Sequence, residues 1–286
     1  MKQLKRYYRL TKPGIIYGNA FTALGGFFLA SRGQVQPYQL FGMLTGLSLI
    51  VASGCVFNNY IDRGIDARMA RTRKRALVSG QISGRAALVY ATVLGLCGAA
   101  VLLALTNLLA LVMALTGFVF YVIVYGVAKR RSVYGTVIGS ISGAIPPVVG
   151  YVAVAGRLDL AAALLFIVVV LWQMPHFYAI AIYRLSDYEA AHIPVLPAVQ
   201  GMRTTKIQIL AYVSAFPVAA ASLSIAGITG LAYLIVMTAA GFLWIYYAVK
   251  GFSTTSDAVW ARKMFRFSLI VILAFCIMLA LDAVLP

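Results

Sequence analysis

The chain has 286 residues, 62% of them hydrophobic, with a mean hydropathy of +0.91 and a formal net charge of +17. So apolar a composition excludes a soluble enzyme and a disordered chain, and marks a membrane protein. The charge does not argue for nucleic acid, because the basic residues are dispersed over membrane-flanking segments and form no single soluble face.

A bilayer core of about 30 Å is crossed by roughly 20 apolar residues in a helix. Runs of that length predict nine spans, at about 15–30, 38–58, 86–106, 108–128, 134–155, 160–182, 207–227, 229–249 and 266–285. The expected fold class is all-α, a polytopic membrane protein of nine transmembrane helices forming one domain over 1–286. Residues 15–30 follow a basic N-terminus and precede Ala30-Ser31, as in a cleaved signal peptide. They are read as the first span, because removing them would spoil the charge alternation. Nothing resembles a transit peptide, which favours a bacterial plasma (inner) membrane over an organelle.

Loops rich in Lys and Arg stay on the cytoplasmic side. With the N-terminus inside, every basic residue except Arg32 and Arg157 falls on an inner segment, among them Lys12, the run from Arg63 to Arg85, and Lys129-Arg130-Arg131. Merging or dropping one helix would scramble that alternation, so the C-terminus is expected outside. Attraction to anionic lipid headgroups follows from the same arrangement.

Within the spans, Cys55, Cys97 and Cys276 stand singly, without metal-ligand spacing, and read as small core residues. Gly135, Gly139 and Gly143 share one face of the fifth span and predict a close helix approach. Pro146-Pro147 predicts a kink, with opened backbone that must pack on protein or line a cavity.

Four of the seven acidic residues lie in two short clusters. Carboxylates beside apolar spans are costly and mark a site by default. Asn58, Asp62 and Asp66 are four apart, which in a helix makes one polar stripe at the cytoplasmic end of the second span. Oxygen donors with no nearby Cys or His suit a hard cation, Mg²⁺ foremost. Mg²⁺ commonly combines one or two carboxylates with substrate phosphates, so a phosphate-bearing substrate is implied. Arg71, Arg73, Lys74 and Arg75 follow directly as phosphate-binding cations, although positive-inside topology explains them equally well. The bland alternative for Asp62 and Asp66 is a helix end with surface ion pairs to Arg63 or Arg68.

Asp187 and Glu189 follow the sixth span, on the same expected side, so both clusters can face one mouth and bind metal on one diphosphate. Tyr183 is one turn before Asp187. His176 lies deeper, in Trp172-Gln173-Met174-Pro175-His176, and needs a partner there. A hydrogen bond to Gln173 or a backbone carbonyl, a proton-transfer role and ligation of porphyrin iron all stay open. His192 reads as a solvated loop residue.

The pattern Asn58-x-x-x-Asp62-x-x-x-Asp66 resembles the first aspartate-rich motif of the UbiA superfamily of intramembrane prenyltransferases. The second motif departs from Asp-x-x-x-Asp, because Ala191 stands four residues after Asp187. Asp187-Tyr188-Glu189-Ala190-Ala191 with Pro194-Val195-Leu196-Pro197 resembles instead the protohaem IX farnesyltransferase (haem O synthase) branch. Thr11-Lys12-Pro13-Gly14, Ser132-Val133-Tyr134-Gly135-Thr136 and Trp172-Gln173-Met174-Pro175-His176 agree with that branch.

The resemblance implies a nine-helix bundle that transfers farnesyl from farnesyl diphosphate to the 2-vinyl group of haem B, with water added, giving haem O. It implies Mg²⁺ on Asn58, Asp62, Asp66 and Asp187. Arg71 and Lys74 would act with Asp62, Asp66 and Asp187 in catalysis. Asn58, Arg71, Arg73, Lys74, Arg75, Tyr183, His176 and Gln173 would bind substrate, with His176 first choice for haem ligation. Tyr60, Tyr183 and Phe177 are aromatic candidates for facing an allylic cation. The active site is expected at the cytoplasmic face, with a haem A synthase or terminal oxidase as possible recipient and no nucleic-acid partner. The rival readings are a prenyltransferase of the same superfamily acting on a quinone precursor, against which Ala191 and His176 argue, and a transporter, against which the one-sided acidic clusters argue.

Overall fold

The computed structural model describes residues 2–283. The ends of the expected domain over 1–286 and the last positions of the expected span 266–285 lie outside the described residues. Among the described residues all regular structure is helical, and nine helices are long and apolar enough to cross a membrane. They are Pro13–Ser31, Pro37–Ile61, Gly84–Leu105, Leu108–Arg131, Gly135–Ala155, Leu160–Tyr183, Gly201–Ile225, Leu231–Ser253 and Asp257–Leu281, called the first to ninth spans below.

Local chemistry sets where the spans begin. Pro13 and Pro37 open the first two, where the missing N–H costs nothing. The Asp159 carboxylate accepts from the backbone N–H groups of Ala161 and Ala162 at the start of the sixth. Asn107 caps the fourth by accepting from the N–H of Ala110, and its amide donates to the carbonyls of Val152 and Ala153, tying the fourth span to the end of the fifth.

Small residues bring the spans together. A Cβ on Gly26 of the first span would lie 1.9 Å from the Pro147 carbonyl oxygen, and one on Gly150 of the fifth would lie 1.9 Å from that of Ala23. The second and third spans meet similarly, where a Cβ on Gly98 would stand 2.8 Å from the Gly46 carbonyl. The close approach expected at Gly135, Gly139 and Gly143 takes another form. Gly139 makes room for the Tyr125 ring and Gly143 for the Gln173 amide, while Gly135 alone meets backbone, at Lys129. The fifth span runs unbroken through Pro146 and Pro147, both buried, with Pro146 facing a central cavity.

Two features position the site. The fourth span contains one π turn, Phe120–Val124, of the kind that concentrates at functional sites. The segment after the second span meets the segment after the sixth: Arg71 Nε lies 3.8 Å from Asp187 Oδ2, and its guanidinium stands 5.4 Å over the Tyr188 ring. The two acidic segments therefore share one end of the bundle.

Candidate active site

The second span ends at Ile61, and Asp62 turns the chain into the short helix Arg63–Asp66. The stripe is thus not one straight helix. Its spacing survives because the Asp62 N–H donates to the Asn58 carbonyl and the Asp66 N–H to that of Asp62, at 2.9 and 2.8 Å. Asn58, Asp62 and Asp66 are 4%, 7% and 5% exposed, and all three line the central cavity. A surface helix end would leave them solvated.

Each is met by a cation, and of these only Arg75 belongs to the basic run expected to bind phosphate. Lys12 Nζ donates to Asn58 Oδ1 at 2.8 Å. Lys129 pairs with Asp62 Oδ2, and Arg130 Nη2 donates to Asp62 Oδ1 at 2.8 Å. Arg75 Nη1 donates to Asp66 Oδ2 at 2.6 Å and to Asn59 Oδ1 at 3.1 Å. Burial pushes the Asp62 carboxyl up, but the charge and hydrogen bond of Lys129, then the hydrogen bond of Arg130, hold it below the usual carboxylate value. Lys12 sits in a left-handed backbone turn (φ +54°) ahead of the first span, and burial lowers its ammonium to about 8.

The cavity has a volume of about 560 Å³, within the range of sites for small ligands. Lys12, Arg71, Arg75 and Lys129 line it with two carboxylates, Asp62 and Asp66, so its polar end carries a surplus of positive charge. Deeper, it is walled by apolar groups such as Leu47, Ile50, Ile145, Val169 and Ile272. Tyr121, Tyr125, Trp172 and Phe177 add aromatic faces, and the Tyr121 and Tyr125 rings stack 6.0 Å apart. The polar end suits an anion and the deep end a hydrocarbon chain.

The structure brings together Asn58, Asp62, Asp66, Arg71, Arg75, Gln173 and His176 in that lining. Asp187 stands outside it, paired with Arg71 at 3.8 Å and with Arg184 at 4.0 Å. Arg73 and Lys74 are exposed and do not line it. Tyr183 packs on Phe265 beneath Arg184 and Arg262, and Tyr60 packs under Arg63, both outside the lining. Gln173 donates to the carbonyls of Ser140 and Val169 and not to His176. The imidazole instead pairs through Nδ1 with Ser268 Oγ at 2.7 Å. His192 is exposed, as read, and Cys55 is a buried residue of the cavity wall.

Tyr121, Tyr125 and Lys129 escaped the sequence reading, although they repeat the four-residue spacing of the stripe they face. The positive-inside pattern hides Lys129, a cation of the cavity wall, among topological ones.

Among the described residues no group of three or more His, Cys, Asp or Glu is gathered tightly enough to hold a metal alone. Two carboxylates and an amide oxygen on one wall fit Mg²⁺ only if phosphate oxygens complete its shell, which is the usual manner of that ion.

A model of the UbiA prenyltransferase family matches residues 19–270. The "Protoheme IX farnesyltransferase" of Yersinia pseudotuberculosis serotype O:1b (strain IP 31758) is 51% identical over 280 residues, spanning 98% of this chain and 95% of that protein. "Protoheme IX farnesyltransferase 2" of Pseudomonas fluorescens (strain Pf0-1) is 51% identical over 284 residues, spanning 99% and 96%. In fold, the chain is similar to digeranylgeranylglyceryl phosphate synthase, with a TM-score of 0.80, 21% identity and 98% and 99% of the two chains covered. It is also similar to a UbiA homolog from Archaeoglobus fulgidus bound to GPP and Mg²⁺, with a TM-score of 0.67, 16% identity and 96% and 99% covered.

Proposed function

The chain belongs to the UbiA prenyltransferase family, and from that membership we propose that it is a protohaem IX farnesyltransferase. It transfers the farnesyl group of farnesyl diphosphate to the 2-vinyl group of haem B, with addition of water, giving haem O and diphosphate. The observation that carries this reading is the two-part cavity, cationic at one end and apolar at the other, built on residues of the haem-branch motifs. The protein is a multi-pass membrane protein, and we take residues 1–286 as one intramembrane domain.

Lys12, Arg71, Arg75 and Lys129 bind the diphosphate oxygens, Arg as planar forks and Lys as point charges. Arg73 and Lys74 add positive potential at the mouth. Mg²⁺, held by Asn58, Asp62 and Asp66, would supply charge stabilisation of the departing diphosphate, while Asp187, across the mouth, positions Arg71. As the bond between farnesyl C1 and oxygen breaks, the faces of Tyr121, Tyr125 and Phe177 stabilise the allylic cation, and the apolar wall keeps water from it. The terminal carbon of the vinyl group forms the new carbon–carbon bond. Positive charge then rests on the vinyl carbon beside the porphyrin, where water adds and loses a proton. His176 and Gln173 face the porphyrin, and Tyr183 supports that wall through Phe265.

The site opens toward the cytoplasm in a bacterial inner membrane, with the N-terminus inside and the C-terminus outside, an orientation supported by the distribution of Lys and Arg. The product passes to a haem A synthase or a terminal oxidase. Purified protein in detergent, supplied with haem B, farnesyl diphosphate and Mg²⁺, should yield haem O by mass spectrometry of the extracted haems. Prenylation of 4-hydroxybenzoate with haem B untouched would overturn the haem assignment while sparing the family.

A further inference from the structure

His176 and Ser268 share one hydrogen bond, and the hydrogens in it can be placed. Ser268 Oγ lies 2.7 Å from His176 Nδ1 and 2.6 Å from the Phe265 carbonyl oxygen. Two oxygens 2.6 Å apart repel unless a hydrogen lies between them, and a serine hydroxyl has only one to give. That hydrogen therefore points at the Phe265 carbonyl, and Ser268 Oγ can only accept from the ring. Nδ1 must carry a ring hydrogen, which in the neutral imidazole leaves Nε2 with its lone pair free.

The surroundings hold the ring in this state. Ser268 is fully buried, so water does not compete for its hydroxyl. Trp172 stacks on the imidazole at 4.8 Å and 28°, and Phe265 lies 4.9 Å from it. Trp172 Nε1 also donates to the Ser268 carbonyl at 2.7 Å, locking the sixth span to the ninth around the histidine. Among the described residues Nε2 has no hydrogen-bond partner, and His176 lines the cavity. An imidazole that donates from one nitrogen to a fixed oxygen and presents the other bare is arranged as metal-bound histidines are.

We propose that Ser268 is a positioning residue that fixes His176 as its Nδ1–H tautomer, so that Nε2 coordinates the iron of the haem B substrate. The ligand rests on the haem reading above, whereas the tautomer does not.

The two parts are tested separately. The chain has two histidines, so ¹⁵N-histidine labelling of the full protein gives two ring signatures, and His192→Ala assigns them. Without haem, His176 should show a protonated Nδ1 and a bare Nε2 in the wild type and in Ser268→Thr, and a tautomer mixture in Ser268→Ala. A protonated Nε2 in the wild type would overturn the proposal. In the second part, ferric haem B is titrated into each protein and followed by its Soret band and electron paramagnetic resonance. Ser268→Ala should bind about tenfold more weakly with an altered iron signature, Ser268→Thr should restore both, and His176→Ala should lose the axial nitrogen. Haem B bound with the same spectrum by wild type and His176→Ala would overturn ligation and leave the substrate reading intact. No binding to the wild type would overturn both.

Discussion

Lys129 and Asp62 form a buried ion pair across 67 residues of chain, one at the end of the fourth span and the other where the second span turns into its loop. Each side chain is 11% exposed, so solvent screening weakens the pair little. Arg130 grips the second carboxylate oxygen. In the proposed mechanism the pair would hold Asp62 ionised for a metal and present an ammonium to a diphosphate.

Asp62→Ala should lower haem O formation by about a hundredfold or more, the scale for removing one preorganised charge stabiliser. Helical content by circular dichroism and insertion into membranes should match the wild type, with a fall in melting temperature from the buried Lys129 left without Asp62. Normal haem O yield from the purified variant would remove the metal argument.

Lys129→Met leaves the carboxylate with Arg130 alone. Breaking a buried pair costs about 3 kcal/mol at the low end of its range, which Arg130 reduces further, so a modest fall in melting temperature is expected. The larger effect should be on KM for farnesyl diphosphate, about tenfold. An unchanged KM would show that Lys129 serves only the fold.

Asp187 stands outside the cavity lining and touches it only through Arg71. Asp187→Asn should therefore cost clearly less than Asp62→Asn and act mainly on KM, as loss of a positioned Arg71 would. Equal losses in kcat for the two variants would place Asp187 among the metal ligands proper.

Metal removal tests the donor set. EDTA should abolish turnover and Mg²⁺ restore it, whereas Zn²⁺ should restore little, since the proposed ligands are oxygens and no thiolate or imidazole stands among them. Full activity after exhaustive chelation would assign the diphosphate to the four cations alone.

Gly150→Ala places a methyl 1.9 Å from the Ala23 carbonyl, and backbone on both sides cannot yield cheaply. The first and fifth spans must separate, so a loss of about 3 kcal/mol is expected, seen as a lower melting temperature in detergent. Gly126→Ala, with nothing within 4 Å of the added methyl, should melt at or above the wild type.

Much of the fold was legible because a bilayer imposes two coarse rules, span length and the side on which Lys and Arg remain. The second acidic motif was legible as a departure, since Ala191 replaces an aspartate the wider superfamily carries. Tyr121 and Tyr125 were not legible, because an aromatic residue in an apolar span looks the same whether it faces lipid, a neighbouring helix or a cavity. Arg73 and Arg75 show the same limit. They are two residues apart in one basic run, yet one is exposed and the other pairs with Asp66, a choice made by the turns of the loop.

The sequence by itself determined a nine-span helical membrane chain, the polar stripe of Asn58, Asp62 and Asp66, and the likeness to haem-branch prenyltransferases. Periodicity, hydropathy and charge placement are properties of neighbouring residues and need no contacts to be read. Only the tertiary structure decided which cation meets which carboxylate, which aromatic rings face the cavity, and that His176 pairs with Ser268 and not with Gln173. Those outcomes depend on helices far apart in the chain packing at a particular rotation. Backbone contact at Gly26 and Gly150, one π turn in the fourth span and the meeting of Arg71 with Asp187 set that packing.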